Sequence, residues 1–339
     1  MKRMWWIGLL LVLIVVSISL VNQSEQDEQV MYQNPVYEPV LADPSIIAAE
    51  DGYYYAYGTE DAWGDLSRTV PIPIVRSKNL IDWEYIGPAF EEKPSWKVSG
   101  DLWAPDITRY QGQYVLIYSY SRWGDDNPAI GMAVSDEPSG PFRDRGELFS
   151  SEEIGVANSI DPFLFIEGET PYLFWGSFHG TYVIELSKDL TTIIGEPVEV
   201  ADEQYEAVYI KEHKGEYVFF GSRGSCCEGP NSTYNVAVGK SKHLLGPYTD
   251  QAGVDLTSGG GTLLLRGNET IAGPGHNALI TDENGQDWLV YHGIVIDDPH
   301  LWTGASRRPL FIDPINWENG WPVIENSEPS VEEMEGPAT

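Results

Sequence analysis

Five short segments of this chain each carry an ionisable side chain a similar short distance ahead of an aromatic run. They are LADPSII with Asp43, WAPDITRY with Asp106, SIDPFLFI with Asp161, YEAVYIKE with Glu206 and GPGHNALI with His276. Four carboxyl groups and one imidazole far apart in sequence suggest a composite site. Brought to one place, three such carboxylates suit hydrolysis of a glycosidic bond. That reaction needs an acid to protonate the leaving oxygen and a carboxylate on the opposite face of the sugar. The acid must have a raised pKa, and a neighbouring carboxylate raises it by like-charge repulsion. Each residue alone also has an ordinary role. Asp-Pro opens many turns, a lone Glu on a strand is commonly solvated, and a lone His is commonly a core residue.

The elements that must gather these groups repeat. The runs DGYYYAYGT (51–59), QGQYVLIYSYS (111–121), GETPYLFWGSF (168–178), KGEYVFFGS (214–222) and NGQDWLVYHGI (284–294) each pair a turn with an aromatic strand. A second short strand follows each: PIPIVRS, AIGMAVS, TYVIELS, YNVAVGKS and RRPLFIDP. Five units, each an inner polar-bearing strand, a middle aromatic strand and an outer strand, predict an all-β, five-bladed β-propeller. The first strand of each blade lines the channel. A β-sandwich would not explain an ionisable residue at the same point of every unit.

Composition narrows the partners. With 52 Asp and Glu against 20 Lys and Arg, the formal charge is −32. Nucleic acid is excluded as a partner, because no basic excess exists to neutralise phosphates. An acidic polysaccharide would be repelled, which favours a neutral one. The 19 Tyr and 12 Trp fit strands and also fit flat sugar faces. Cys226 and Cys227 are adjacent, which is neither a disulfide framework nor a metal-site spacing. Met1-Lys2-Arg3, an apolar run and Ser17-Ile18-Ser19 read as a signal peptide or membrane anchor over 1–20, so a secreted or extracellular membrane-anchored protein is expected. A polar linker is expected over 21–33, the propeller over 34–325 and an acidic disordered tail over 326–339.

The motifs ADPSI, LWAPDI, NSIDPFLF, EAVYI, SCCEGPNSTYNVAVGKS, GPYTD, GPGHNALI and LVYHG together resemble glycoside hydrolase family 43, and within it the endo-1,5-α-L-arabinanases. The resemblance covers about 34–323. It implies an inverting glycosidase that cuts internal α-1,5-L-arabinofuranosidic bonds of arabinan, a neutral plant cell-wall polysaccharide, and of arabino-oligosaccharides. Carried over, Asp43 is the general base, Glu206 the general acid, and Asp161 tunes Glu206 and holds the sugar. His276 faces a central ion through water, calcium or another single ion, and Asp106 is structural. Trp103, Asn158, Ser177 and Phe178 are the expected substrate contacts. Cys226 and Cys227 form either a vicinal bridge or two thiols near the groove. Departures at Pro128, His179 and Val208 bear on subsites rather than on chemistry. An exo-acting α-L-arabinofuranosidase or β-xylosidase of the same fold is the alternative enzyme. A non-catalytic sugar-binding propeller is the third reading, and it has no use for an acid–base pair. A monomer is expected.

Overall fold

The computed structural model describes residues 30–62 and 69–338. The expected leader, 1–20, and most of the expected linker lie outside them. Among the described residues no helix is long and apolar enough to cross a membrane.

Five four-stranded antiparallel sheets follow one another along the chain, so the protein is a five-bladed β-propeller. Blade one holds Ser45–Ala48, Tyr54–Tyr57, Pro73–Ser77 and Trp83–Pro88. Blade two holds Asp101–Tyr110, Gln113–Ser121, Ala129–Ser135 and Arg143–Ser150. Blade three holds Phe163–Glu167, Thr170–Trp175, Thr181–Leu186 and Ile193–Ala201. Blade four holds Glu206–His213, Glu216–Arg223, Asn235–Ser241 and Thr262–Arg266. Blade five holds Ile271–Thr281, Asp287–Val295, Leu310–Glu318 and Trp321–Val323. The first two strands of blades two and four are joined at Gln111-Gly112 and Lys214-Gly215. Both residues of each pair have positive φ, the requirement of a tight hairpin turn matched to strand twist.

The repeat shows three strands, and the structure has four. The missing fourth strand has a physical cause. Outermost strands such as RDRGELFS and IIGEPVEVA are charged and largely exposed, a pattern that protects a sheet edge from further pairing and reads as loop. Middle strands are buried on both faces. In blade two, Leu116 and Tyr118 pack toward blade one, while Val115 and Ile117 pack toward blade three. Alternate residues of one strand thus fill two different cores, and the hydrophobic interior consists of layers between adjacent blades.

The ring closes where blade five meets blade one. Ile46, Tyr54 and Val75 pack there on Trp288, Val290 and Ile312, with Tyr32 and Leu41 in the same layer. Asn34 fastens the N-terminal strap: its Nδ2 donates to the Ile312 carbonyl at 2.8 Å and its Oδ1 accepts the Ile312 N–H at 3.0 Å. The expected disordered tail is instead part of this closure. Met334–Glu335 pair with Met31–Tyr32, Ser330 N–H donates to Asp313, and Ala338 N–H donates to Asp282 at 3.1 Å. Acidic composition alone does not disorder a segment whose backbone finds a strand partner. The ordered domain accordingly begins before residue 34.

Candidate active site

At or within the first strand of each blade is a bend in which one non-glycine residue adopts a left-handed backbone. These residues are Asp43 (φ 53°), Ala104 (φ 41°), Asp161 (φ 58°), Ala207 (φ 56°) and His276 (φ 49°). Such conformations are uncommon and cluster at functional sites. The bends refine the repeat. Asp43, Asp161 and His276 are equivalent, but blades two and four have alanine there. Asp106 lies two residues past its bend and Glu206 one residue before. The ionisable residues therefore do not share one repeat position, as the sequence pattern implied; a one-residue step along a strand reverses the side on which a side chain emerges.

The bends are held from the preceding blade. Ala104 N–H donates to Thr59 Oγ1 at 2.8 Å, Asp161 N–H to Ser119 Oγ at 2.9 Å, and His276 N–H to Ser222 Oγ at 2.8 Å. Asp43 N–H donates to His292 Nδ1 at 3.1 Å across the ring closure. These acceptors lie at matching points of the repeat, toward or just past the far end of each aromatic strand. Blade four departs from the rule: Ala207 N–H donates to Asp161 Oδ2 at 3.2 Å, and the hydroxyl of Ser177, the repeat equivalent of Thr59, donates to Glu206 Oε2 at 2.7 Å. The bracing group of blade three is thus given to a carboxyl group.

Two donors and two imidazoles surround the Asp43 carboxyl group. Arg308 Nη1 lies 2.9 Å from Oδ1, and Thr59 Oγ1 donates to Oδ2 at 2.6 Å. His276 Nδ1 and His292 Nδ1 stand 3.4 and 3.3 Å from Oδ1. Burial pushes its pKa up, but the Arg308 guanidinium beside it holds the carboxyl well below its ordinary range. Burial pushes His276 down to about 4 and lowers His292 as well. Both rings are neutral near pH 7, so Arg308 supplies the positive charge. Since His292 Nδ1 accepts from Asp43 N–H, its proton sits on Nε2.

Glu206 is the opposite case. Burial, reinforced by the charge of Asp43, pushes it up to about 7, against the opposing hydrogen bonds from Tyr234 and Ser177. Tyr234 Oη donates to Oε1 at 2.6 Å. Asp161 is also pushed well above its ordinary value, by burial first and then by Glu206 and Asp43. One carboxylate kept ionised and another protonated near neutrality is the arrangement acid–base catalysis needs.

The remaining expected residues divide. Asp106 is structural: it accepts from Ser45 Oγ at 3.2 Å and Leu164 N–H at 2.9 Å, tying blades one and three to blade two. Ser177 is buried and spends its hydroxyl on Glu206, which places it on the acid rather than on a sugar. Asn158 Nδ2 donates to the Ser177 carbonyl at 2.9 Å. Phe178 is 36% exposed. Half-buried Trp103 leans on Trp123, itself 80% exposed, with ring centroids 5.7 Å apart. Cys226 and Cys227 form a vicinal disulfide. Sequence reasoning gave no role to Thr59, Tyr234, His292 or Arg308. All four lie in quoted runs, but nothing local marks them, because their partners are between 16 and 265 residues away.

The channel below the bends holds a cavity of about 20 Å³, lined by Asp106, Asp161, His276 and Asn277 among others. That is room for one water-sized occupant. Both side-chain polar atoms of Asn277 are buried without a partner, which calls for water or an ion. Among the described residues no three His, Cys, Asp or Glu side chains are grouped as direct metal ligands. The cavity beside Asn277 therefore fits one water or one bare ion, not an ion with its full water shell.

The family model for glycosyl hydrolases family 43 matches residues 32–322. The chain belongs to glycosyl hydrolases family 43. Among family 43 relatives, an extracellular endo-α-(1→5)-L-arabinanase of Bacillus subtilis is 33% identical, over 84% of this chain and 87% of that protein. An extracellular exo-α-(1→5)-L-arabinofuranosidase of Cellvibrio japonicus is also 33% identical, over 79% and 84% of the two chains. Among solved structures, that of the Cellvibrio cellulosa α-L-arabinanase complexed with arabinohexaose superposes with a TM-score of 0.75 at 30% identity, over 86% of this chain and 97% of that one. This family 43 chain is a glycosidase.

Proposed function

We propose that this enzyme hydrolyses internal α-1,5-L-arabinofuranosidic bonds of arabinan with inversion at the anomeric carbon. The observation that carries the reading is the opposite tuning of Asp43 and Glu206 at the mouth of one channel. Asp43, kept ionised by Arg308, takes a proton from the attacking water. Glu206, protonated near neutral pH, gives its proton to the leaving oxygen. Asp161 is itself pushed up by burial and by the charge of Glu206, so the two do not ionise together, and it fixes the start of blade four through Ala207 N–H. The endo-arabinanase relatives and the hexasaccharide-bound Cellvibrio structure support the substrate class.

Exo action is the second reading, favoured by the Cellvibrio japonicus relative. The two separate on debranched arabinan followed by product size over time. Internal cutting releases a ladder of oligosaccharides and a fast drop in viscosity from the first minutes. Release of one small product at constant viscosity would give the exo reading instead.

The channel ion belongs to the same proposal. Calcium or another single cation in the channel would face His276 through water, with one of its waters in the cavity beside Asn277, and would offset repulsion among the carboxylates. Elemental analysis then finds about one ion per chain, the stoichiometry of a single channel site, and a chelator lowers the melting temperature if it is calcium. An ion-free protein with an unchanged melting curve would contradict this.

Export fits the relatives called extracellular, the leader expected over 1–20, and the disulfide, since such bonds persist in oxidising compartments. Whether by secretion or by an uncleaved anchor, the catalytic domain works outside the cell, as a monomer on a neutral polysaccharide.

A further inference from the structure

The Cys226–Cys227 bridge joins neighbours in sequence. A disulfide stabilises mainly by closing a loop of the unfolded chain, with a gain that grows with loop length. A bridge between adjacent residues closes no such loop. Its effect is local, the stiffening of one peptide in the connection 224–234 between two strands of blade four.

That connection ends on Tyr234, the donor to Glu206. Its base is pinched at Ser225, whose carbonyl accepts the N–H groups of Thr233 and Tyr234, both at 3.1 Å, and the Ser232 hydroxyl. Ser225 N–H donates to Thr233 Oγ1 at 3.1 Å. The far side of the connection is tied to blade five through one residue. Ser306 Oγ donates to the Cys227 carbonyl at 3.2 Å and accepts Gly229 N–H at 3.2 Å. Gly229 is in the left-handed region, and a Cβ there would stand 2.9 Å from His300 Nε2, so the two loops meet with no room for a side chain. Two residues beyond Ser306 is Arg308, which grips Asp43. The next residue back, Arg307, anchors the same loop to Glu38 and Asp298.

A continuous path therefore runs from Glu206 through Tyr234, Ser225, the cysteine pair and Ser306 to Arg308 and Asp43. We propose that the Cys226–Cys227 bridge and Ser306 are positioning residues for the reaction, a rigid bracket that sets the acid side of the channel against the base side. The inference rests on the acid and base roles proposed above. Neither cysteine touches the reacting atoms. The bracket holds Tyr234 on the acid and Arg308 against the base, and small displacements of such groups are costly to rate.

The test compares kcat, KM and the pH profile of kcat/KM on debranched arabinan. It uses the unmodified enzyme, Ser306→Ala, the double variant Cys226→Ser/Cys227→Ser, and the enzyme reduced by a phosphine and then reoxidised. A loosened bracket lowers kcat about tenfold while KM changes less than about twofold. Both limbs of the pH profile move to higher pH, because Glu206 loses the Tyr234 hydroxyl and Asp43 loses part of the Arg308 charge. Reoxidation restores both. Unmoved limbs with normal kcat would overturn the inference, and so would a rise in KM alone, which would make the bridge a sugar contact. If the double variant fails to fold, Ser306→Ala and the reversibly reduced enzyme decide. An unmodified enzyme inactive on arabinan would overturn the proposed function itself, a result distinct from these.

Discussion

Glu206→Gln lowers kcat on arabinan by about 10²- to 10⁴-fold, the range for losing a positioned general acid. The side chain is buried, and its two oxygens are already engaged by Ser177 and Tyr234, so the amide fills the same space and the fold survives. Two features separate loss of an acid from loss of a structural residue. The unmodified enzyme loses activity as pH rises through Glu206's pKa of about 7, because the group must be protonated to act. The sign follows from burial and the charge of Asp43, both of which favour the neutral form. The variant has no such alkaline limb. Its defect also shrinks on an arabino-oligosaccharide with a nitrophenolate leaving group, which departs without a proton. An equal loss on both substrates, with the alkaline limb intact, would remove Glu206 from the role of acid.

Asp43→Asn produces a loss of the same order, about 10²- to 10⁴-fold, but with the opposite dependence on leaving group. Water must be activated whatever departs, so natural and nitrophenyl substrates suffer alike. Oligosaccharide binding, measured by calorimetry, persists. The variant also melts lower. Asp43 and Arg308 are nearly buried together, and removing one partner of such a pair leaves an uncompensated charge at a cost of about 3–5 kcal/mol. Arg308→Met checks the assignment from the other side. It keeps the base but removes the cation that holds it ionised, so the acidic limb of kcat/KM moves to higher pH. An acidic limb unmoved in Arg308→Met would mean that another group titrates there.

These residues were unequally visible in the chain. The aromatic strands and their turns are local features, and so the propeller could be read from the repeat. Asp43, Asp161 and Glu206 stood out because each precedes such a strand. Arg308 was hidden for the opposite reason: it follows Arg307 in a run that reads as an ordinary outer strand, and its value comes from a contact 265 residues away. Tyr234 drew no notice in the sequence, and only the fold turns its hydroxyl onto Glu206. Ser177 was read as a sugar contact because it ends an aromatic strand. The structure shows that this position braces the next blade, which at blade four means bracing the acid. The tail was misread because composition reports the cost of ordering a segment but not the partner strand at Met31–Tyr32 that offsets it.

The claim on which all of this depends is that Asp43 activates water while Glu206 protonates the leaving oxygen. The stereochemistry of a single turnover tests it most directly. Proton NMR of the first product from an α-1,5-arabino-oligosaccharide, recorded before the sugar mutarotates, should show the β-configured reducing end, since a water delivered opposite the leaving group inverts the centre. A first product that retains the α configuration would require a covalent intermediate, and Asp43 would then be a nucleophile or the catalytic pair a different one.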